Sequence, residues 1–323
     1  MILVSGASGF IGKHLMASLL ADSTPCRALL RTPRKMAWGG SSAIADLSDR
    51  AALIAATEGV ETVIHCAGYA HAFSVGSEEE IKKNWAINFE GTRNLIEAAG
   101  YSGVKRFVFL SSVKAMADSV EECVDESQEG VPSTVYGESK RAAENVVLAT
   151  GQRFNMHVVN LRLAMVYGRH GRGNLERMAA LVGRGVFPPL PETGNRRSLV
   201  HVRDVVDVVR HVSQDPRANG RTYIVASPHA PSGRELFDAI RAALGLPKSN
   251  IHIPEAMLKL LARLGDGIQL CARRRVPFNS DVLSKLLDSA CYSPEAIWRD
   301  LGWRAAVPLS EGLREMLGNE KDF

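Results

Sequence analysis

One stretch near the start of the 323-residue sequence decides its fold: Gly6-Ala7-Ser8-Gly9-Phe10-Ile11-Gly12, with three glycines at equal spacing. It follows the apolar run Ile2-Leu3-Val4, which predicts a buried strand, and it leads into a helical pattern over residues 12–21. A glycine-rich turn between strand and helix lets the backbone approach a pyrophosphate, and the helix N-terminus offers free N–H groups. The stretch predicts a dinucleotide site. Its expected cofactor-binding residues are Gly6, Ser8, Gly9, Phe10, Ile11 and Gly12.

The alternation of strand and helix patterns continues through the first half of the chain. Short β-branched runs predict strands at residues 26–30, 62–65, 106–110 and 157–161, and apolar residues three or four apart predict helices at 49–57, 81–99 and 136–150. Such alternation gives parallel strands joined by helical crossovers. We therefore predict an α/β fold, a doubly wound parallel sheet of the Rossmann type.

The pattern changes near residue 163, where a Gly-rich stretch (167–174) and a Pro-rich stretch (187–193) begin. Strand-like residues 197–202 and 223–225 follow. We predict a dinucleotide-binding domain over residues 1–165 with returning segments near 197–225. A smaller, interleaved C-terminal substrate lobe is expected over residues 166–196 and 226–323.

Composition argues against several classes of protein. The 39 basic and 35 acidic residues give a net charge of +4 and are spread along the chain, without the basic tail typical of nucleic-acid binding. Charges interrupt every apolar stretch before 18 residues, so no membrane span is predicted. Met1 leads straight into the first strand, which leaves no room for a signal peptide.

The cysteines carry a further expectation. There are five, Cys26, Cys66, Cys123, Cys271 and Cys291, an odd number without Cys-x-x-Cys spacing. This pattern predicts neither a disulfide framework nor a zinc site. We expect reduced thiols, a cytoplasmic location and no bound metal.

The choice between NAD and NADP depends on the end of the second strand. An acidic residue there binds the ribose of NAD, whereas an arginine accommodates a 2′-phosphate. This sequence has Arg31, followed by Arg34 and Lys35, which favours NADP; a solvated basic loop is the alternative. Asp46 is assigned to the adenine, with an ordinary surface aspartate as its alternative. The expected cofactor set also includes Leu47, Ala67, Gly68 and Asn88.

Tyr136-Gly137-Glu138-Ser139-Lys140 places a phenol and an ammonium four residues apart, on one face of a predicted helix. A nearby positive charge favours the phenolate of a tyrosine, whose pKa is otherwise near 10. Ser112 ends a predicted strand, so its hydroxyl reaches the carboxyl edge of the sheet, where ligands bind in this architecture. The catalytic candidates are Tyr136, Lys140 and Ser112. If the Tyr-x-x-x-Lys spacing is considered alone, the alternative to a catalytic pair is a tyrosine on a helix face and a solvated lysine, neither with a catalytic role.

The glycine turn, the strand-end Ser111-Ser112, the Tyr-x-x-x-Lys pattern and the run over residues 88–95 together resemble the extended short-chain dehydrogenase/reductases, in the NAD-dependent epimerase/dehydratase family that includes UDP-glucose 4-epimerase. The resemblance implies that Tyr136 is a general acid or base and that Lys140 binds the nicotinamide ribose and lowers the phenol pKa. It also implies that Ser112 positions the reacting oxygen. Asn88 would lie near the cofactor, or it would only hydrogen-bond to the backbone of a neighbouring segment.

Three further stretches, residues 67–71, 103–114 and 194–200, resemble bacterial UDP-N-acetylhexosamine 4-epimerases and UDP-4-keto-6-deoxy-sugar 4-reductases of polysaccharide synthesis. This likeness implies a UDP-sugar substrate that reacts at C4. The substrate-binding residues it implies are Ser112, Tyr136, Asn174 and Arg197, with Arg275 and Arg234 as weaker candidates; an ordinary surface residue is the alternative for each arginine. His71 is added as a substrate-binding candidate because it lies in the loop after the strand predicted at 62–65. By analogy with relatives, a homodimer would form through the helices at 81–99 and 136–150.

The reaction type is narrowed by two features. Val113-Lys114 follows Ser112 where 4,6-dehydratases have an Asp-Glu pair after the catalytic hydroxyl residue, so a dehydratase is disfavoured. Arg31 favours a 4-keto reductase, which consumes its cofactor, over a 4-epimerase, which regenerates bound NAD. The alternatives are a UDP-hexose 4-epimerase, a reductase of non-sugar ketones and a non-catalytic NADP-binding sensor.

Overall fold

The computed structural model describes residues 1–34, 40–69, 77–116, 120–128, 130–171, 173–272 and 279–318. Its strands are β1 Ile2–Ser5, β2 Cys26–Leu30, β3 Ser41–Ile44, β4 Thr62–His65, β5 Arg106–Ser112, β6 Val120–Val124, β7 His157–Leu163, β8 Met165–Tyr167, β9 Leu199–His201, β10 Arg221–Val225 and β11 Ala290–Tyr292. Its helices are α1 Phe10–Ala21, α2 Arg50–Thr57, α3 Glu78–Asn84, α4 Gly91–Tyr101, α5 Val135–Phe154, α6 Asn174–Gly183, α7 Val202–Gln214, α8 Gly233–Ala243, α9 Glu255–Ala272, α10 Ser280–Leu287, α11 Glu295–Leu301 and α12 Leu309–Leu317. A π-helical segment, Trp85–Glu90, joins α3 to α4.

Seven parallel strands form the main sheet, in the order β10-β7-β5-β4-β1-β2-β3. Helices cover both faces. One apolar core lies between the sheet and α1, α7 and α11, and a second lies between the sheet and α2, α4 and α5. The predicted doubly wound sheet is therefore confirmed. All carboxyl ends of the strands meet at one edge, where ligands bind in this architecture.

A third apolar core lies away from the sheet, among α6, α8, α9, α10 and α12. Of the two segments expected to return to the sheet, Arg221–Val225 joins it beside β7, whereas Leu199–His201 pairs with β8 in a separate two-stranded sheet. The strand predicted at 197–202 is thus shorter and lies elsewhere. The proposed domain boundaries stay a prediction. Of the helices that the structure describes, none is long and apolar enough to cross a membrane.

The expectation of reduced thiols throughout is wrong in the structure. Cys123 in β6 and Cys291 in β11 form a disulfide, with Cα atoms 4.4 Å apart and a sequence separation of 168. Parallel pairing of β6 with β11 brings them together. A pairing across such a distance leaves no local spacing signal in the sequence, which is why the cysteine pattern did not predict it. Cys26 and Cys66 are free.

The disulfide between Cys123 and Cys291 predicts how many cysteines react with a thiol reagent. Unfolded but unreduced protein should give three reactive thiols per chain, and reduction should raise this to all five cysteines. Because the bond closes a loop of 168 residues, reduction should also lower the free energy of unfolding, by about 2–5 kcal/mol. A thiol assay in guanidinium and denaturant titrations with and without reductant measure both. Five thiols before reduction would show that the bond does not form.

Candidate functional site

The predicted dinucleotide turn has the geometry that its glycines allow. Gly6 follows β1 with a φ of +68°, and a Cβ there would lie 2.6 Å from the backbone nitrogen of Ala67, just after β4. A Cβ on Gly12 would lie 2.2 Å from the carbonyl oxygen of Gly6. Neither distance is compatible with a side chain, so both positions require glycine. The turn is therefore packed directly against the end of the neighbouring strand.

The outer side of this turn is open. A Cβ on Gly9 would approach the Gly6 carbonyl oxygen at 3.1 Å and, among the described residues, no other atom within 4 Å. Helix α1 starts at the next residue, and the first turn of this fully described helix carries no acidic side chain. Its N–H groups and partial positive charge suit a diphosphate. Ser8, Phe10 and Ile11 lie at the same helix start, so these residues fit the diphosphate of a dinucleotide.

Arg31 and Asp46 lie at the carboxyl ends of neighbouring strands, β2 and β3. The Asp46 carboxylate accepts hydrogen bonds from the backbone N–H and the hydroxyl of Ser48, at 2.9 and 2.6 Å, and these lower its pKa. The charge of Arg31 lowers that pKa a little further, so the two side chains are near each other. Leu47 is fixed against α4, because Asn94 Nδ2 donates to its carbonyl at 2.9 Å.

Asn88 organises the loop after β4. Its Oδ1 accepts the N–H of Tyr69 at 2.8 Å, and its Nδ2 donates to the Tyr69 carbonyl at 3.1 Å and to Ser139 Oγ at 3.2 Å. A Cβ on Gly68 would lie 3.3 Å from Asn88 Oδ1 and 3.4 Å from Lys140 Nζ. Asn88 therefore fixes the backbone of the loop after β4 by hydrogen bonding, which is the second of its two expected roles. It does so next to Lys140.

The start of α5 lies directly on the turn after β5. Thr134 caps the helix by accepting the N–H of Gly137 at 3.1 Å. A Cβ on Gly137 would lie 2.2 Å from the carbonyl oxygen of Lys114, so a larger residue would push the helix away. This close approach places Tyr136 within hydrogen-bonding reach of Ser112, whose hydroxyl also accepts the N–H of Lys114 at 3.2 Å.

The enclosed position of Tyr136 raises the pKa of its phenol, and the hydrogen bond with Ser112 offsets part of that rise. The expected lowering by Lys140 is not seen. Lys140 Nζ instead donates to the carbonyl oxygen of Leu110 at 2.9 Å and lies 4.5 Å from the ring centre of Phe109. The effect of burial on the phenol pKa is larger than that of the hydrogen bond with Ser112. The phenol is therefore protonated at neutral pH.

Burial lowers the pKa of Lys140 to about 8, and the negative charge of Glu144 opposes that lowering. Glu144 is itself buried and holds a bidentate pair with Arg162, at 2.8 and 3.1 Å, while Ser111 Oγ donates to it. The sequence analysis missed this buried network. A signal was present, because Glu144 follows Lys140 by four residues and Tyr136 by eight, on the same helix face.

The substrate candidates are less closely grouped. Arg197 is partly buried, which lowers its pKa, and its Nη1 donates to the Asp288 carbonyl at 2.9 Å. Asn174 is exposed as the first residue of α6. Arg234 is used structurally, since it pairs with Asp238 and donates to the carbonyls of residues 190, 249 and 251. His71 and Arg275 lie outside the described residues.

A cavity of about 310 Å³ lies next to Arg197. Asp288 lines this cavity, and its backbone carbonyl accepts the hydrogen bond from Arg197. Three charged side chains of α9 line it: Glu255, Lys259 and Arg263. Sequence reasoning did not select these residues, although their four-residue spacing on a helix places them on one face. The remaining lining residues are Thr193, Ser280, Leu283, Ser284 and Leu287. The charged lining is balanced: Lys259 pairs with Glu255 at 2.6 Å, and the other two charged residues are Arg263 and Asp288.

Comparison with known proteins gives consistent matches over the whole chain. Residues 2–226 match the family described as the NAD dependent epimerase/dehydratase family. The chain is 28% identical over 320 residues to UDP-glucose 4-epimerase of Vibrio cholerae, covering 97% of this chain and 93% of that one. It is 24% identical over 321 residues to the N-acetyl-alpha-D-glucosaminyl-diphospho-ditrans,octacis-undecaprenol 4-epimerase of Escherichia coli O157:H7, covering 99% and 95%.

Among solved structures, UDP-N-acetylglucosamine 4-epimerase from Bacillus cereus superposes with a TM-score of 0.77, covering 100% of this chain and 96% of that one. The sequence identity is 19%, so this likeness supports the fold alone.

The contact between Glu144 and Lys140 predicts a change in pH dependence. Glu144→Gln removes the negative charge that opposes the lowering of the Lys140 pKa, so that pKa should fall below about 8. The alkaline limb of kcat/KM should then move to lower pH. Glu138→Gln, an exposed position on the same helix, is the matched control and should keep the wild-type profile. Glu144→Gln should also lower the melting temperature, because it leaves Arg162 without its buried partner, so circular dichroism should show both variants folded at the assay temperature. Identical alkaline limbs in the two variants would contradict the assignment.

Proposed function

This chain belongs to the NAD dependent epimerase/dehydratase family, and from that premise we propose that it transfers hydride between a nicotinamide cofactor and C4 of a UDP-linked hexose. We assign it the direction of a 4-keto reductase that uses NADPH. The observation that carries the proposal is the Tyr136–Ser112 pair at the carboxyl edge of the sheet, with Lys140 on the same helix.

The cofactor would be held by the residues that line the glycine turn and the strand ends beside it. Gly6, Gly9 and Gly12 provide the diphosphate position, and Arg31 and Asp46 lie where the adenosine would be. Lys140, which lies beside Gly68 and Asn88, would contact the nicotinamide ribose. When bound, the dinucleotide supplies the hydride donor of the reaction.

Tyr136 meets the requirement of the reducing direction for a proton donor. Reduction of a 4-ketone adds hydride to C4 and a proton to the oxygen, so the protein must supply an acid. The Tyr136 phenol, hydrogen-bonded to Ser112, is protonated at neutral pH and would serve as that acid. Ser112 orients the ketone oxygen by hydrogen bonding, and Tyr136 takes its proton back from solvent after each turnover.

Arg31 supports a cofactor that is consumed and exchanged. Its guanidinium lies at the end of β2, exposed, where a 2′-phosphate would be bound. NADPH is the usual reductant of biosynthetic reductions, whereas an epimerase returns hydride to the same sugar and has no need to release its cofactor. The reductase is for this reason our first choice.

The substrate part of the proposal is supported by Arg197 and the cavity next to it. A guanidinium binds a diphosphate through two parallel hydrogen bonds. Arg263 adds a cation in the cavity next to Arg197, where Lys259 is paired with Glu255. The two relatives are named for sugars on diphosphates, one of them N-acetylated, which supports an N-acetylated substrate for this chain. We further propose that this sugar is 6-deoxy, from the resemblance of residues 67–71, 103–114 and 194–200 to the 4-reductases.

UDP-hexose 4-epimerase is the second candidate. It is favoured by the Vibrio cholerae relative, which matches almost the whole chain. The same Tyr136 and Ser112 would serve both reactions, since an epimerase also removes and returns hydride at C4. We further propose that the protein works in the cytoplasm and forms a homodimer through α4 and α5, which lie side by side on one face of the sheet.

A direct assay separates these functions. Purified protein is incubated with a UDP-4-keto-6-deoxy-N-acetylhexose and NADPH or NADH, and in parallel with UDP-N-acetylglucosamine or UDP-glucose and NAD. We expect oxidation of NADPH with the keto sugar, and a higher kcat/KM with NADPH than with NADH. Conversion of UDP-glucose or UDP-N-acetylglucosamine to its 4-epimer without net cofactor oxidation would replace the reductase with the epimerase. No turnover of any UDP-sugar would overturn both.

The same assay tests the role of Arg31. Arg31→Ala should raise KM for NADPH by about 10–100-fold, because a hydrogen bond to a charged group contributes about 1.5–3 kcal/mol. Turnover with NADH serves as the internal control and should change little. Equal effects on both cofactors would show that Arg31 does not contact the 2′-phosphate.

A further inference from the structure

The disulfide between Cys123 and Cys291 joins two short strands. In the described part of the chain, β6 and β11 form a sheet of two strands, and β11 has three residues. The pairing is irregular, because its register shifts between Ala290 and Tyr292. Two strands without further neighbours are marginally stable in water. The covalent bond therefore contributes much of what keeps β11 beside β6.

Strand β11 in turn holds the segment that carries Arg197. The backbone N–H of Ser198 donates to the carbonyl of Ala290 at 2.9 Å. The Ser198 hydroxyl accepts the N–H of Tyr292 at 2.8 Å and donates to its carbonyl at 3.1 Å. Arg197 Nη1 donates to the carbonyl of Asp288, two residues before β11. The position of the Arg197 guanidinium is thus set by β11 and by the chain that leads into it.

The same two strands border the turn that follows Ser112. Val113, the next residue, lies in a small apolar cluster together with Tyr292 of β11, and Val124 of β6 packs against this cluster. Tyr292 and Val124 each directly follow one cysteine of the disulfide. The bond therefore lies between the proposed diphosphate ligand and the turn at the proposed catalytic pair.

One end of the disulfide is open to thiol exchange. Cys123 is half-buried, whereas Cys291 is only 2% exposed. A thiolate of a dithiol reductant can attack Cys123 Sγ, which forms a mixed disulfide and releases Cys291 as a thiolate that takes up a proton. The second thiol of the reductant then attacks the mixed disulfide and releases Cys123. The protein gains two electrons and two protons, and the dithiol becomes a disulfide.

We propose that the Cys123–Cys291 disulfide is a redox-controlled latch on the substrate site. While the bond is closed, β11 holds Arg197 in place to bind the substrate. Reduction by a dithiol leaves β11 with its noncovalent contacts alone, so the Arg197 segment loosens and substrate affinity falls. In the cytoplasm, where we place this protein, a disulfide is usually transient and redox-sensing. The role of Arg197 in the latch rests on the proposed UDP-sugar substrate.

Calorimetry with UDP as the probe tests the latch. Full-length protein is titrated in its oxidised form and after treatment with dithiothreitol. We expect the Kd for UDP to rise at least about tenfold on reduction, because a guanidinium hydrogen bond to phosphate is lost. Reoxidation should restore it. The Kd for NADPH should stay the same in both forms, since the glycine turn is remote from β11 in the sheet. Equal UDP affinity in the two forms would overturn the proposal.

Cysteine variants show whether the response belongs to this bond. Cys123→Ser cannot form it, and should bind UDP as weakly as the reduced wild type, with no response to dithiothreitol. The matched control is Cys26→Ala, which removes a free cysteine and keeps the bond. It should respond to dithiothreitol like the wild type. A wild-type response in Cys123→Ser would overturn the proposal, and the wild type with and without reductant remains decisive if this variant does not fold.

Hydrogen exchange separates the latch from the identity of the substrate, because it needs no ligand. Within minutes of exchange, the amides of Ser198 and Tyr292 should exchange at least about tenfold faster in the reduced protein, whereas those of β5 and β7 stay protected. Faster exchange without UDP binding in either form would support the opening of β11 and contradict the UDP-sugar substrate. Unchanged exchange at Ser198 and Tyr292 would overturn the latch.

Discussion

The first turn of α5 and the turn after β5 touch backbone to backbone at Gly137 and Lys114, with no room for a Cβ between them. Most of the candidate site depends on this contact. It sets the distance between Tyr136 on the helix and Ser112 on the strand, two groups that come from distant parts of the sequence. It also fixes the start of the helix that carries Lys140 one turn further on. A side chain at position 137 would therefore move Tyr136 away from Ser112 without changing either residue.

Charge inside the protein is arranged around the same helix. The ammonium group of Lys140 is almost fully removed from water, and this desolvation disfavours its charged form and lowers its pKa. Glu144, one turn further on, lies close enough to hold the ammonium charged, and Arg162 in turn satisfies the carboxylate. Removing one member would leave another charge buried and unpaired, which is expensive in a low-dielectric interior. The helix therefore needs this polar interior in order to carry a buried cation at Lys140.

The sequence predicted the fold well because its signals were local. The glycine turn, the β-branched runs and the Tyr-x-x-x-Lys spacing each report on a few neighbouring residues, and β2 and β4 have the predicted bounds. Features that depend on distant parts of the chain were missed: the Cys123–Cys291 disulfide, the separate pairing of β9 with β8, and the cavity lined by α9. Arg234 was a reasonable anion ligand by type alone, and only its contacts show that its donors are used within the protein.

The central claim is that Tyr136, enclosed and bonded to Ser112, supplies the proton that accompanies hydride transfer. The most direct measurement is the single-turnover rate of Tyr136→Phe with cofactor and a UDP-sugar substrate that the wild type converts, alongside its affinity for the cofactor. The account predicts a rate lower by at least about 100-fold, with cofactor affinity and melting temperature close to those of the wild type. A variant that turns over its substrate at the wild-type rate would contradict it.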